Sequence, residues 1–143
     1  MKNLPLYLLL VLSFVMSCSE NDDSSAPSIN SKSVTDCDTA FNPNTISGIC
    51  LNGAELASPN EIITYASKHA TSHGISNPQF NWIIENGSIE ILNIENSIVD
   101  AVTAKSIATI KFNSDFSGNG IIKVMAETDH SEGETEIFVE MEE

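Results

Sequence analysis

Positive charge is scarce in this 143-residue sequence, which contains six lysines and no arginine against 20 acidic residues, for a net charge of −14. A surface this acidic repels phosphate backbones, which excludes nucleic acid as a partner. It also repels anionic lipid, so attachment to a membrane would need a hydrophobic anchor. The bland interpretation of the acidic residues is a solvated surface that keeps the protein soluble.

Long apolar runs are lacking too. The run from Leu4 to Met16 is shorter than the roughly 20 residues that a membrane-spanning helix needs, and with Lys2 before it the run is typical of a signal peptide. Its ending, Val15-Met16-Ser17-Cys18, resembles the lipobox of bacterial lipoproteins. The resemblance implies cleavage before Cys18 and acylation of that cysteine with palmitate. The alternative is an ordinary signal peptide followed by a chance cysteine.

The residues after Cys18 indicate a destination. The acidic run Ser19-Glu20-Asn21-Asp22-Asp23 resembles the export tails of surface lipoproteins in some Gram-negative groups, and no aspartate follows Cys18 directly, as it does in inner-membrane lipoproteins of enteric bacteria. We therefore expect a lipid-anchored protein of the outer membrane, exposed at the cell surface. Loss of residues 1–17 would leave five lysines and 20 acids, a net charge near −15.

The composition changes twice along the chain. Residues 19–36 hold only three apolar side chains, too few to offset the entropy lost on ordering, whereas a β pattern begins near residue 45. We therefore predict a lipoprotein signal peptide over 1–17, a lipidated flexible tether over 18–44 and one folded domain over 45–143.

Apolar alternation predicts an all-β domain of seven or eight short strands, which favours a two-sheet sandwich. The predicted strands are Ile46–Leu51, Glu61–Ala66, Gln79–Glu85, Ser88–Leu92, Ser97–Val102, Ser106–Phe112, Gly120–Glu127 and Glu134–Met141. Asn86-Gly87 predicts a type I′ hairpin, and residues 67–77 predict either a long loop or one helical turn. The expected core is Phe80, Trp82, Ile84, Ile110, Phe112, Ile122, Val124, Ile137 and Val139.

Three short motifs resemble the PKD-like modules of bacterial surface proteins. They are a tryptophan strand that leads to Asn86-Gly87, a strand that ends in Phe112, and Gly118-Asn119-Gly120 before the next strand. The resemblance covers residues 46–141 and implies an immunoglobulin-like sandwich that acts as a spacer or binding platform. The sequence departs from typical PKD domains in having Trp82-Ile83-Ile84-Glu85-Asn86-Gly87 in place of their Trp-Asp-Phe-Gly-Asp-Gly signature.

Cysteine is nearly absent, and its count is informative. With Cys18 consumed by lipid, Cys37 and Cys50 remain, and an even remainder in an exported chain favours a disulfide. Pro43 and Gly48 between them let the chain double back. The alternative is two free thiols, with Cys50 buried and Cys37 exposed.

Other polar groups give weaker signals. His69 and His73 have metal-ligand spacing on a helix, and a third ligand would be remote, either an acidic residue or His130. The alternative, which we favour, is two plain loop histidines. The stretch Glu127–Glu134 concentrates oxygen ligands for Ca²⁺, but a solvated acidic turn is the better interpretation. Asp38-Thr39-Ala40 resembles a short acceptor motif for O-glycosylation, with loop polarity as the alternative.

No catalytic motif is present: the sequence has no Gly-x-Ser-x-Gly, phosphate loop or His-Glu-x-x-His. We expect no enzyme activity, no cofactor and no metal. Trp82 is expected to pack in the core and not to stack on a sugar. The expected function is a non-enzymatic binding or spacer module that presents a sheet face or loop end to a protein or glycan. The alternative is an accessory subunit of an outer-membrane uptake or secretion complex.

Overall fold

The protein is an all-β sandwich of two sheets, as the sequence predicts. The computed structural model describes residues 30–39 and 46–143. Its strands form two sheets, in the orders β1-β3-β6-β5 and β2-β8-β7-β4. Lettered along the chain, these are the A-B-E-D and C-F-G sheets of an immunoglobulin domain, with the short β2 added beside the last strand. The strands are β1 (Ser47–Asn52), β2 (Leu56–Ala57), β3 (Ile62–Thr71), β4 (Gln79–Asn86), β5 (Ile89–Ile98), β6 (Thr103–Phe112), β7 (Gly120–Thr128) and β8 (Ser131–Met141).

The core lies between the sheets, where alternate residues of β6 and β7 point inward. Six of the residues that the sequence assigns to the core are buried: Trp82, Ile110, Phe112, Ile122, Val124 and Val139. The other three, Phe80, Ile84 and Ile137, are half-buried and pack against it. The other buried members of the cluster are Ala57, Ile63, Tyr65, Ala108 and Phe116.

The predicted hairpin at Asn86-Gly87 is wrong. Gly87 has a positive φ of 92°, but Asn86 does not, and β4 and β5 belong to different sheets. The turn therefore carries the chain from one sheet to the other. A Cβ on Gly87 would come within 3.0 Å of the Gly120 Cα, so this crossing needs glycine for both conformation and space. β4 buries Trp82, and β5 packs half-buried Ile89 and Ile91 against the core from the opposite sheet. Packing across the core, and not the local turn signal, therefore decides the pairing.

The predicted strand Ser97–Val102 is also wrong. β5 continues from Ile89 to Ile98, and the chain then turns back into β6. The Asp100 carboxylate accepts a hydrogen bond from the Val102 N–H at 2.8 Å, which is the local turn chemistry expected of aspartate. Val99 and Val102 are consequently exposed in the turn.

Residues 67–71 extend β3 where the sequence predicts a loop or a helical turn. Ser67, His69 and Thr71 point into the sandwich and are all buried. Because these inward-facing residues are polar, this part of the strand has no apolar alternation and the sequence does not predict it. The Ser67 hydroxyl is satisfied by donating to the Cys50 carbonyl at 2.8 Å.

Part of the predicted tether lies on the sandwich. The Val34 N–H donates to the Thr64 carbonyl at 3.1 Å, and the Thr64 hydroxyl donates back to the Val34 carbonyl at 3.0 Å. Lys32 forms ion pairs with Glu61 and Glu142 at 3.0 and 2.5 Å. Residues 30–39 of the predicted tether therefore contact the domain, although they precede the predicted boundary at 45.

The sandwich has two distinct ends. We call the end with Lys32, Glu61 and Glu142 the proximal end, because the first described residues of the chain lie there. The opposite, distal end carries the β3–β4 loop (72–78), the β5–β6 turn (99–102) and the β7–β8 turn (129–130). Within residues 30–39 and 46–143, no helix is long and apolar enough to cross a membrane.

Candidate functional site

Cys37 and Cys50 form a disulfide, with their Cα atoms 6.2 Å apart, as the cysteine count predicts. The bond fastens the segment before β1 to β1 itself. Asp36 beside it accepts a salt bridge from Lys68 at 2.6 Å, and the hydrogen bond from Lys68 lowers the pKa of the Asp36 carboxyl. The result is a covalent attachment of residues 30–39 to the sandwich.

The three histidines all lie near the distal end. His69 is not a loop residue: it is 1% exposed in β3, and its Nε2 lies 2.9 Å from the Ser131 hydroxyl. Burial lowers the pKa of His69, and its Nδ1 has no hydrogen-bond partner among the described residues. The exposed rings of His73 and His130 are 6.3 Å apart. In the described ranges, no three histidine, cysteine or acidic side chains are grouped as metal ligands.

The acidic stretch 127–134 is mainly paired strand and not a loop. β7 and β8 extend through it, and only Asp129 and His130 form the turn. The Asp129 carboxylate accepts hydrogen bonds from Ser76 at 2.5 Å and Asn77 at 2.9 Å, which lower its pKa. Asp129 therefore fastens the β3–β4 loop to the turn, while the glutamates point outward from the strands.

The outer face of the β2-β8-β7-β4 sheet is strongly acidic, and we call it the acidic face. The cross-strand register places one lysine on it, Lys123, which pairs with Glu134 at 3.2 Å and Glu85 at 3.6 Å. The hydrogen bond with Glu134 raises the pKa of Lys123. The glutamates of this face are Glu85, Glu127, Glu132, Glu134, Glu136 and Glu140.

Apolar side chains lie within the acidic face. Phe138 is 59% exposed in β8, directly opposite Ile121 in β7. Leu56, 47% exposed in β2, lines a surface depression together with Phe138. Met125 is exposed farther along β7. Sequence alternation indicates that Phe138 points outward, but only the sheet order brings Leu56 beside it.

The remaining sequence candidates fall partly outside the described residues. Asp38 is exposed and Thr39 is half-buried, next to the disulfide, whereas Ala40 of the same tripeptide is not described. Cys18, the predicted lipidation site, also lies outside the described residues. Trp82 is 5% exposed and packs in the core, as predicted.

No protein-family model matches the chain, and comparison with curated proteins finds no match. Among solved structures, the chain is similar to a twitchin kinase fragment of C. elegans that contains an autoregulated protein kinase and immunoglobulin domains. The identity is 12% and the TM-score 0.39, and the match covers 61% of this chain and 18% of that chain.

Proposed function

We propose that this chain is a bacterial lipoprotein in which Cys18 carries the lipid and a PKD-like sandwich acts as a non-enzymatic binding module at the surface of the outer membrane. The acidic face carries the proposal, because exposed Phe138 and Leu56 lie among glutamates on an open sheet. Exposed apolar side chains with a polar surround are typical of interaction sites. An open sheet face suits recognition better than catalysis, which uses enclosed, water-poor sites.

The contacts of residues 30–39 support the anchored arrangement. Eleven residues separate Cys18 from Asn30, so this stretch spans at most about 40 Å when fully extended. At the proximal end, Asn30 donates a hydrogen bond to Glu61, and Lys32 forms an ion pair with Glu142. A lipid on Cys18 would thus hold the proximal end near the membrane and direct the distal loops away from it.

Metabolic labelling tests the anchor. We expect the wild-type chain to incorporate labelled palmitate and Cys18→Ser to remain an unlabelled precursor, with Ser25→Ala labelled like wild type. Proteinase K added to intact cells should degrade the wild-type protein. Labelling of Cys18→Ser, or full protection from the protease, would contradict the proposal. Stoichiometric co-purification with an outer-membrane pore would favour the accessory-subunit alternative.

A further inference from the structure

Strand β8 presents acidic side chains to solvent at a regular interval. Glu132, Glu134 and Glu136 all lie on its outer side, followed by Phe138. Alternate residues of a strand are about 6.6–6.8 Å apart on one face. The carboxylates therefore form a row whose spacing equals that of alternate side chains in an extended peptide.

Within the described residues, one lysine serves this row. Lys123 forms ion pairs with Glu134 and Glu85, and it lies directly opposite Glu136 in the register without approaching that carboxylate to within 4 Å. Glu132 has no lysine within 4 Å among these residues. Glu132 is also directly opposite Glu127 in the register of β7 and β8. Like charges opposite each other in a sheet are destabilising, and a bound cation would relieve this repulsion.

The row ends at the exposed apolar side chains. Phe138 follows the glutamates on the same face, and Leu56 lies beside it in the neighbouring strand. Aromatic side chains are common anchors of protein interfaces. A ligand that neutralises the row would therefore also find an apolar contact at one end.

We propose that the acidic face binds a basic, extended polypeptide segment. Every second residue of this segment is lysine or arginine, and these side chains lie along the β8 glutamates. One apolar side chain of the segment lies against Phe138 and Leu56. The inference rests on the proposed binding function and specifies its partner. Anionic partners, including acidic glycans, are repelled by the same surface.

A peptide titration tests the proposal on the whole chain, purified in non-ionic detergent. The probe is a fluorescein-labelled peptide of sequence Lys-Ser-Lys-Ser-Lys-Ser-Leu, and the control peptide is Lys-Lys-Lys-Ser-Ser-Ser-Leu, of equal composition and charge. We expect the alternating peptide to bind about fivefold more tightly, as followed by fluorescence anisotropy. Binding of both should weaken as salt is added, because exposed charges are screened.

Matched variants locate the binding site. Glu132→Gln with Glu136→Gln should weaken binding about tenfold, whereas Glu90→Gln with Glu95→Gln, on the other sheet, should change it less than about twofold. Phe138→Ser should weaken binding about fivefold, and Ile98→Ser, an equally exposed site on β5, should not. Circular dichroism of each variant checks that the fold is retained.

Equal effects of the two glutamate pairs, equal affinity for the two peptides, or no binding would overturn the proposal. Palmitate labelling and protease accessibility do not depend on the acidic face. Failure of the peptide experiment would therefore leave the anchored binding module standing, while loss of the anchor would be seen in those assays alone.

Discussion

The indole Nε1 of Trp82 donates a hydrogen bond to the Ser106 hydroxyl at 2.8 Å, across the interior of the sandwich. Trp82 belongs to β4 in one sheet and Ser106 to β6 in the other, and both side chains are buried. In antibody domains a disulfide joins the two sheets and packs against a tryptophan of strand C, the strand that corresponds to β4 here. Here the disulfide lies between Cys37 and Cys50, and this buried hydrogen bond links the two sheets.

Substitutions at this contact should be costly and coupled. Ser106→Ala leaves the Trp82 N–H unpaired in the core and should cost about 1–3 kcal/mol. Trp82→Ala creates a cavity and should cost about 3–5 kcal/mol. The double variant Trp82→Phe with Ser106→Ala should cost less than Trp82→Phe and Ser106→Ala cost separately when added, because the double variant leaves neither hydrogen-bonding partner unpaired. Urea unfolding followed by far-ultraviolet circular dichroism measures each value.

The control for this series is Asn81→Ala, an exposed neighbour of Trp82 in β4, which should stay within about 0.5 kcal/mol of wild type. Additive costs at Trp82 and Ser106 would show that the hydrogen bond does not stabilise the fold.

Gly53 and Tyr65 form a second close contact. A Cβ on Gly53 would overlap Cδ1 of the Tyr65 ring, whereas nothing lies within 4 Å of a Cβ on Gly48. Gly53→Ala must displace the buried ring and should cost about 1–3 kcal/mol or more, while Gly48→Ala should be close to neutral. Thermal unfolding of the two variants provides the comparison, and equal midpoints would contradict it.

The Tyr65 hydroxyl also has a defined role. It donates to the Ala54 carbonyl at 2.8 Å, and burial raises the pKa of Tyr65 far above its ordinary value. Tyr65→Phe should cost about 0.5–1.5 kcal/mol, the usual contribution of one hydrogen bond. A variant as stable as wild type in urea would indicate that the contact contributes nothing.

His69 should make stability depend on pH. Its pKa is lowered in the folded protein because of burial, while in the unfolded chain it is near 6.5. As pH falls through 6.5, the unfolded state binds the proton first, so the free energy of unfolding decreases by at most about 1.4 kcal/mol per pH unit. Above that range the neutral ring keeps its contact with Ser131, and the full stability is present.

Unfolding in urea at about pH 7 and about pH 5.5 measures this dependence. His69→Gln, which cannot titrate, should flatten the slope relative to wild type. The exposed His73→Gln should keep the wild-type slope. If both variants retain the slope, the dependence arises from other groups and the role assigned to His69 is wrong.

The disulfide should contribute substantially to stability. Cys37 and Cys50 close a loop of about 14 residues, for which chain entropy predicts about 3 kcal/mol. Reduction, or Cys37→Ser with Cys50→Ser, should lower the free energy of unfolding by that amount, and Thr39→Ser should not change it. Mass spectrometry of the unreduced protein should find neither cysteine alkylated, and alkylation at both would contradict the bond.

Local patterns predict those parts of the fold in which one physical requirement is sufficient. Ala108, Ile110 and Phe112 alternate with polar residues, so β6 has one buried face whatever its neighbours are. The same holds for Ile122 and Val124 in β7. The disulfide is predicted by a count, because only two cysteines remain once Cys18 is set aside as the predicted lipidation site.

Local patterns fail where two requirements compete. Asn86-Gly87 favours a tight reversal, but β4 and β5 pack against the core from opposite sides and belong to different sheets. Ser67, His69 and Thr71 are polar and therefore unlike an inward strand face, yet β3 continues through them. The cost of burying these polar groups is met by partners from elsewhere in the chain, including the Cys50 carbonyl and Ser131, which no local window contains.

The sequence by itself determined the two-sheet β architecture, the acidic surface, the cysteine pairing and the outward direction of Phe138, because alternation, charge and residue counts act over a few neighbouring positions. Only the tertiary structure decided that residues 30–39 pack on the sandwich, that Trp82 meets Ser106, and that Leu56 lies beside Phe138 among glutamates. These contacts join strands far apart in the chain, and strand order arises from burying all the apolar faces at once.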